Sequence, residues 1–246
     1  MHDRSISPLA GAYNFRDLGG LQLPDGRRTR HGLLFRSDTL QALTAADVAF
    51  LRQTIGLRVV VDLRLAHEVA EEGRGLLSAA DEVNYLNAPL EMAKIDGILP
   101  GEVMKHLYNQ CLASESLPAA IRQIAENAGH PIVFHCAAGK DRTGIVAALV
   151  LGLLGVTEEA IIADYLASTT NMPRVVERLM SWPRYREHLA AMPDSVYAVE
   201  VEPILHLLHT VRSQFGSTLK WAAKRGIPDE LIATMRRRVL DEAPAK

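Results

Sequence analysis

The stretch Pro131-Ile132-Val133-Phe134-His135-Cys136-Ala137-Ala138-Gly139-Lys140-Asp141-Arg142-Thr143-Gly144 joins an apolar run to a polar, glycine-bearing turn, and then to a long apolar segment from Ile145 to Val156. Ile132-Val133-Phe134 has the unbroken apolar character of a strand buried on both faces. The residues from Thr143 to Leu154 read as a helix. A buried strand that passes through a tight loop directly into a helix aims successive backbone N–H groups, and the positive end of the helix dipole, at one point. That point binds a tetrahedral anion.

Within this geometry each residue acquires a job. Cys136 stands at the strand end, where the amides of Ala137, Ala138, Gly139 and Lys140 and the Arg142 guanidinium favour a thiolate, the form that attacks phosphorus. Arg142 falls in the first helical turn, where its planar fork grips two non-bridging phosphate oxygens through the transition state, as lysine cannot. Gly139 lets the loop curl its N–H groups inward, and Gly144 lets the helix pack close to the sheet. The Thr143 hydroxyl is placed to hydrogen-bond the sulfur. His135, one residue before the nucleophile, points away from it and is expected to buttress the loop from inside. A magnesium-nucleotide loop is excluded, because Asp141 follows Gly139-Lys140 where Ser or Thr should hold the metal, and Phe134 stands where the first glycine belongs.

Working outward, Val59-Val60-Val61-Asp62-Leu63 is a second buried parallel strand, and residues 11 to 36 read as short strands and turns around Pro24-Asp25-Gly26. Thr44 caps a helix that Gly56 closes, and Ser116 to Asn127 is a helix with Pro118 early and Gly129 after its end. A loop and then a helix near Val103 to Cys111 form a possible lid over 90–112. After Thr143 the pattern is helical: 157–167, 173–191, 201–215, 217–225 and 228–240. The expected architecture is α/β, a central, mostly parallel sheet flanked by helices with a helical C-terminal third, in one domain spanning 1–246.

Composition agrees. The 246 residues hold 27 basic and 29 acidic side chains, a net charge of −2, so no global positive field exists to hold nucleic acid or an anionic membrane. With 48% hydrophobic residues the chain is ordinary globular. Its longest apolar run falls short of the ~20 residues that span a bilayer. Two cysteines, Cys111 and Cys136, build no disulfide framework, so a reducing, cytoplasmic setting is expected, with signal-less export left open. No His, Asp or Glu spacing resembles a ligand set, so neither metal nor cofactor is expected.

His-Cys-x-x-Gly-Lys-Asp-Arg-Thr-Gly resembles the signature loop of the cysteine-dependent protein tyrosine phosphatase superfamily, in the form found in its bacterial branch of atypical tyrosine, dual-specificity and phosphoinositide phosphatases. Asn14-Phe15-Arg16-Asp17-Leu18-Gly19-Gly20, Leu34-Phe35-Arg36-Ser37, Val61-Asp62-Leu63-Arg64 and Ile162-Ala163-Asp164-Tyr165-Leu166 look like that branch's recurring segments in the same order. The resemblance implies a tyrosine-phosphatase-like fold. It also implies metal-free hydrolysis of phosphotyrosine, and of phosphoserine, phosphothreonine or phosphoinositides, through a phosphocysteine, with inorganic phosphate as product. Lys140 favours the wider range, as a cation able to meet a second phosphate.

The family's usual Trp-Pro-Asp acid loop is missing, since Trp182-Pro183 is followed by Arg184. Relatives assign a loop aspartate a catalytic part, which maps onto Asp141; Glu91 and Asp96 are the other candidates for the general acid. Asp62 reads as a structural carboxylate pairing with backbone or Arg64. Arg16, Asp17 and Arg36 read as an ion-pair network beside the loop, Cys111 as a core thiol with a disulfide to Cys136 as its alternative, and Arg236-Arg237-Arg238 as a solvated face. Two other functions stay open: a phosphate-binding module without turnover, and a sulfurtransferase, whose cysteine loop is generally shorter.

Overall fold

The computed structural model describes residues 7–92, 97–183, 185–186 and 197–242. Its sheet has five strands: β1 (Arg16–Asp17), β2 (Leu34–Ser37), β3 (Val59–Asp62), β4 (Asn84–Asn87) and β5 (Ile132–His135), in the order β1-β2-β5-β3-β4. All neighbours are parallel except β1 and β2. Alternation across the pleat splits the apolar residues between two cores. Val59, Val61, Ile132 and Phe134 face the larger one, whereas Val60 and Val133 face Phe15, Phe35, Leu43, Leu51 and Leu57 on the other side.

The register matters for function. Ser37 and Asp62 both lie opposite His135, so the C-terminal ends of β2, β3 and β5 finish level with one another. The segments that follow these three strands therefore meet at one edge of the sheet, where parallel sheets place their ligands.

The helices are α1 (Ala45–Ala49, continued by a wider turn Phe50–Ile55), α2 (Ala66–Glu72), α3 (Val103–Ala113), α4 (Ser116–Asn127), α5 (Asp141–Leu154), α6 (Glu158–Leu166), α7 (Met172–Ser181), α8 (Val201–Phe215), α9 (Thr218–Lys224) and α10 (Asp229–Val239). Thr44 caps α1 in a reciprocal pair with Asp47, as its sequence predicts. α5 buries residues on every side, from Ile145 to Leu154 apart from Gly152, which makes it the central helix of the larger core. α3 contributes Val103, Tyr108, Cys111 and Leu112 to that core, so this part of the expected lid is packed in rather than laid over. α7 ends at Ser181, short of the expected 191, and 187–191 lie outside the described residues. α2 and the polar edge strand β4 were not expected. In α10 the arginines do more than face solvent: Arg236 donates to the Leu153 carbonyl at the end of α5 and Arg238 to the Ala128 carbonyl at the end of α4. Among the described residues no helix is long and apolar enough to cross a membrane.

Candidate active site

Cys136 follows β5 directly, is 3% exposed, and its Sγ accepts the Gly139 N–H at 3.2 Å. Gly139 sits at φ +68°, and a Cβ there would lie 2.5 Å from the Asp38 nitrogen and the Ser37 carbonyl oxygen, so only glycine allows this curl against β2. The loop's carbonyls are held from outside. Asn14 Nδ2 and Arg36 Nη2 donate to the Gly139 oxygen at 3.2 and 2.8 Å, and the Thr39 N–H donates to the Ala137 oxygen at 3.0 Å. A peptide whose carbonyl is pinned outward turns its neighbours' amides toward the centre. Arg36 and Arg16 are themselves paired with Asp164, at 2.6 and 2.9 Å, all three buried. This is the expected ion-pair network with Asp164 in place of Asp17, which instead binds His31 and the Gly19 and Gly32 amides.

Arg142 lies in the first turn of α5, with its side chain 12% exposed. Its Nη1 and Nη2 donate to the two carboxylate oxygens of Glu68 at 2.6 and 3.0 Å, and Nη1 also lies 3.4 Å from the Leu63 oxygen. Glu68 thereby occupies the end of the fork. Nε and the second hydrogen of Nη2, which lie along one side of the guanidinium, take no partner among the described residues; that side is the pair of parallel donors a phosphate needs. Burial raises the Glu68 carboxyl, but the hydrogen bonds and charge of Arg142 outweigh it and bring it down to about 2. Glu68 is in turn placed by the Leu65 N–H at 2.7 Å and the Tyr185 hydroxyl at 3.3 Å. Sequence reasoning missed Glu68. Its only signal was an acid in the first turn after Asp62-Leu63-Arg64, the segment the sheet register brings beside Cys136.

Asp141 Oδ1 accepts the Tyr108 hydroxyl at 3.2 Å and lies 3.5 Å from Lys140 Nζ, while Oδ2 has no partner among the described residues. Tyr108 also meets the Tyr165 hydroxyl at 3.0 Å. Lys140, expected at the phosphate, has a side chain only 1% exposed, with Nζ donating to the Ala198 carbonyl at 2.7 Å. Its backbone still heads α5 as the residue before the first turn. Thr143 Oγ1 is buried without a hydrogen-bond partner among the described residues. Gly144 packs against Tyr165 of α6, where a Cβ would come within 2.9 Å, and also faces the sheet, with Nη2 of Arg36 on β2 at 3.6 Å from that position.

His135 is buried with Nδ1 3.2 Å from the Cys136 carbonyl oxygen and Nε2 3.6 Å from Asp62. Burial pushes its imidazole below its ordinary range, which keeps it neutral and buttressing. Asp62 accepts the Arg64 backbone N–H, its guanidinium and the Tyr85 hydroxyl, a structural carboxylate as expected. Cys111 is a free, buried thiol that burial pushes up to about 12. Glu91 is exposed, and Asp96 lies outside the described residues. Among the described residues no group of three or more His, Cys, Asp or Glu side chains is arranged to hold a metal ion.

Comparison with known proteins follows the same lines. The model of a family described as the tyrosine phosphatase family matches residues 7–241. The triple specificity protein phosphatase PtpB of Mycobacterium tuberculosis is 30% identical, over 94% of this chain and 98% of its own. A Cupriavidus necator relative is 35% identical over 68% of this chain and 63% of its own, and a tyrosine-protein phosphatase of Nostoc commune is 33% identical over 54% and 47%.

Proposed function

Because this chain belongs to the tyrosine phosphatase family, we propose that it hydrolyses phosphate monoesters, phosphotyrosine first among them, through a covalent phosphocysteine at Cys136. The observation that carries this reading is the Arg142 fork: Glu68 takes one edge, the other has no partner among the described residues, and the guanidinium interacts electrostatically with Cys136, whose sulfur already accepts a loop amide. The Cys136 thiolate attacks phosphorus, a P–S bond forms, and the P–O bond to the leaving group breaks. Arg142 and the loop amides take up the charge on the non-bridging oxygens. The leaving oxygen receives a proton from Asp141, whose Oδ1 is fixed by Tyr108 and whose Oδ2, without a partner among the described residues, presents it. Water then attacks phosphorus, giving its proton to the same carboxylate, and the sulfur departs as thiolate, stabilised by the Thr143 hydroxyl, which has no partner among the described residues. Inorganic phosphate is released. No step calls for a metal.

Phosphoserine, phosphothreonine and phosphoinositides are further substrates under this reading, supported by the likeness to a triple specificity phosphatase. Lys140, whose buried Nζ donates to the Ala198 carbonyl and lies 3.5 Å from Asp141, carries no part of this wider reading. A panel of phosphotyrosine peptide, phosphoserine peptide and phosphoinositide, assayed with EDTA, tests the proposal. Turnover of the first with chelator present is expected; activity restored only by Zn²⁺ or Mg²⁺ overturns it.

A further inference from the structure

Arg174 is an exposed cation in the first turn of α7, and its guanidinium carbon lies 4.1 Å from the centroid of the Tyr13 ring. Arg178 stands over the same ring at 4.5 Å but is taken, donating to the Gly11 carbonyl at 2.7 Å and pairing with Asp38. Arg174 makes no hydrogen bond or ion pair with the described residues, and Glu177, the acidic residue of α7, forms none with it. No acid stands in the first turn of α7 to offset the positive end of its dipole. A guanidinium held over an aromatic ring is positioned by that contact without using its N–H donors, which remain available to an anion.

The position of this cation is set by the loop. Tyr13 and Ala138 pack together against a small cluster of Ala137 with Met172, Val175 and Leu179 of α7. Next in the chain, Asn14 binds the Gly139 carbonyl. Arg174 therefore stands one side chain out from the loop that holds Cys136.

The geometry points to an anion subsite at the rim of this loop, formed by Arg174 on Tyr13, that takes a carboxylate flanking the phosphotyrosine of a peptide substrate. This rests on the phosphatase reading above. A peptide is favoured over a polyphosphorylated head group because neighbouring phosphates on one small ring need a cation at the loop itself, and Lys140 is buried on the Ala198 carbonyl. An extended peptide advances about 3.3 Å per residue, so a neighbouring side chain reaches a cation that stands outside the loop.

The test measures kcat/KM for two phosphotyrosine peptides differing only in flanking Asp against Asn, a small aryl phosphate, and a soluble inositol bisphosphate. The Asp peptide should be favoured about threefold to fivefold at low ionic strength, as for an exposed charge pair, and less in high salt. Arg174→Ala should abolish this preference and Arg174→Glu reverse it, with aryl phosphate turnover unchanged. Equal rates on the two peptides, or a preference that survives Arg174→Ala, overturns the proposal. So does a loss confined to the inositol bisphosphate, which assigns Arg174 to a head group. If wild type fails on the aryl phosphate as well, the phosphatase reading itself has failed.

Discussion

In the proposed chemistry Cys136 and Arg142 do different work, and substitutions separate it. Cys136→Ser removes the thiolate but leaves the amides and the guanidinium, so turnover should vanish while vanadate or phosphate still binds; turnover within about tenfold of wild type rules out the phosphocysteine. Glu68→Gln keeps the shape of the Arg142 partner and loses its charge, freeing the fork to rotate. We expect kcat to fall about 10- to 100-fold with KM changing less, since the fork acts most on the transition state. For Asp141→Asn the diagnostic is the leaving group. A donated proton contributes about 10²–10⁴-fold on phosphotyrosine and far less on an aryl phosphate of low leaving-group pKa, so equal losses on both make Asp141 an orienting residue. Cys136 and Arg142 were legible as candidate site residues because they lie in one short contiguous motif. Glu68 was not, because nothing local ties it to Arg142; only the β3 and β5 register brings the two together.

At the scale of elements, β5, the loop and α5 were readable because each has a local cause: an apolar β-branched run, a glycine at positive φ, and an uninterrupted apolar helix. β4 escaped because Asn84-Tyr85-Leu86-Asn87 is an edge strand whose pairing with β3, not its composition, makes it a strand. The contact of Lys140 with the Ala198 carbonyl escaped for a related reason, since that carbonyl is far along the chain. The unit from β5 to α5 also makes a sharp demand at Gly139. Gly139→Ala must place a Cβ in the left-handed region and 2.5 Å from backbone atoms of Ser37 and Asp38. We expect a stability loss of about 2 kcal/mol or more together with loss of phosphate binding, measured by urea unfolding and calorimetry; a folded, active variant of wild-type stability contradicts the geometry.

For the whole molecule, buried ion pairs at one edge of the sheet make stability depend on acid. The ordinary Glu value is 4.5, and Arg142 brings Glu68 down to about 2. The folded state therefore binds fewer protons than the unfolded chain, and the stability this contributes is fully present above about pH 4.5 and lost as the pH falls toward 2. Asp164, whose burial is outweighed by Arg16 and Arg36, shifts the same way. Wild type and Glu68→Gln should differ by a few kcal/mol at pH 7, narrowing steadily below pH 4; a gap constant with pH means that Glu68 acts by shape alone. The contacts that pin the loop come from Asn14, Arg36, Thr39 and Glu68, four places spread along the first third of the chain. A loop tied to so many separate strands and turns has no private route to unfolding: it opens when the domain opens. Loss of activity in denaturant is thus set to track the fluorescence of Trp221, deep in the larger core, with one midpoint for both.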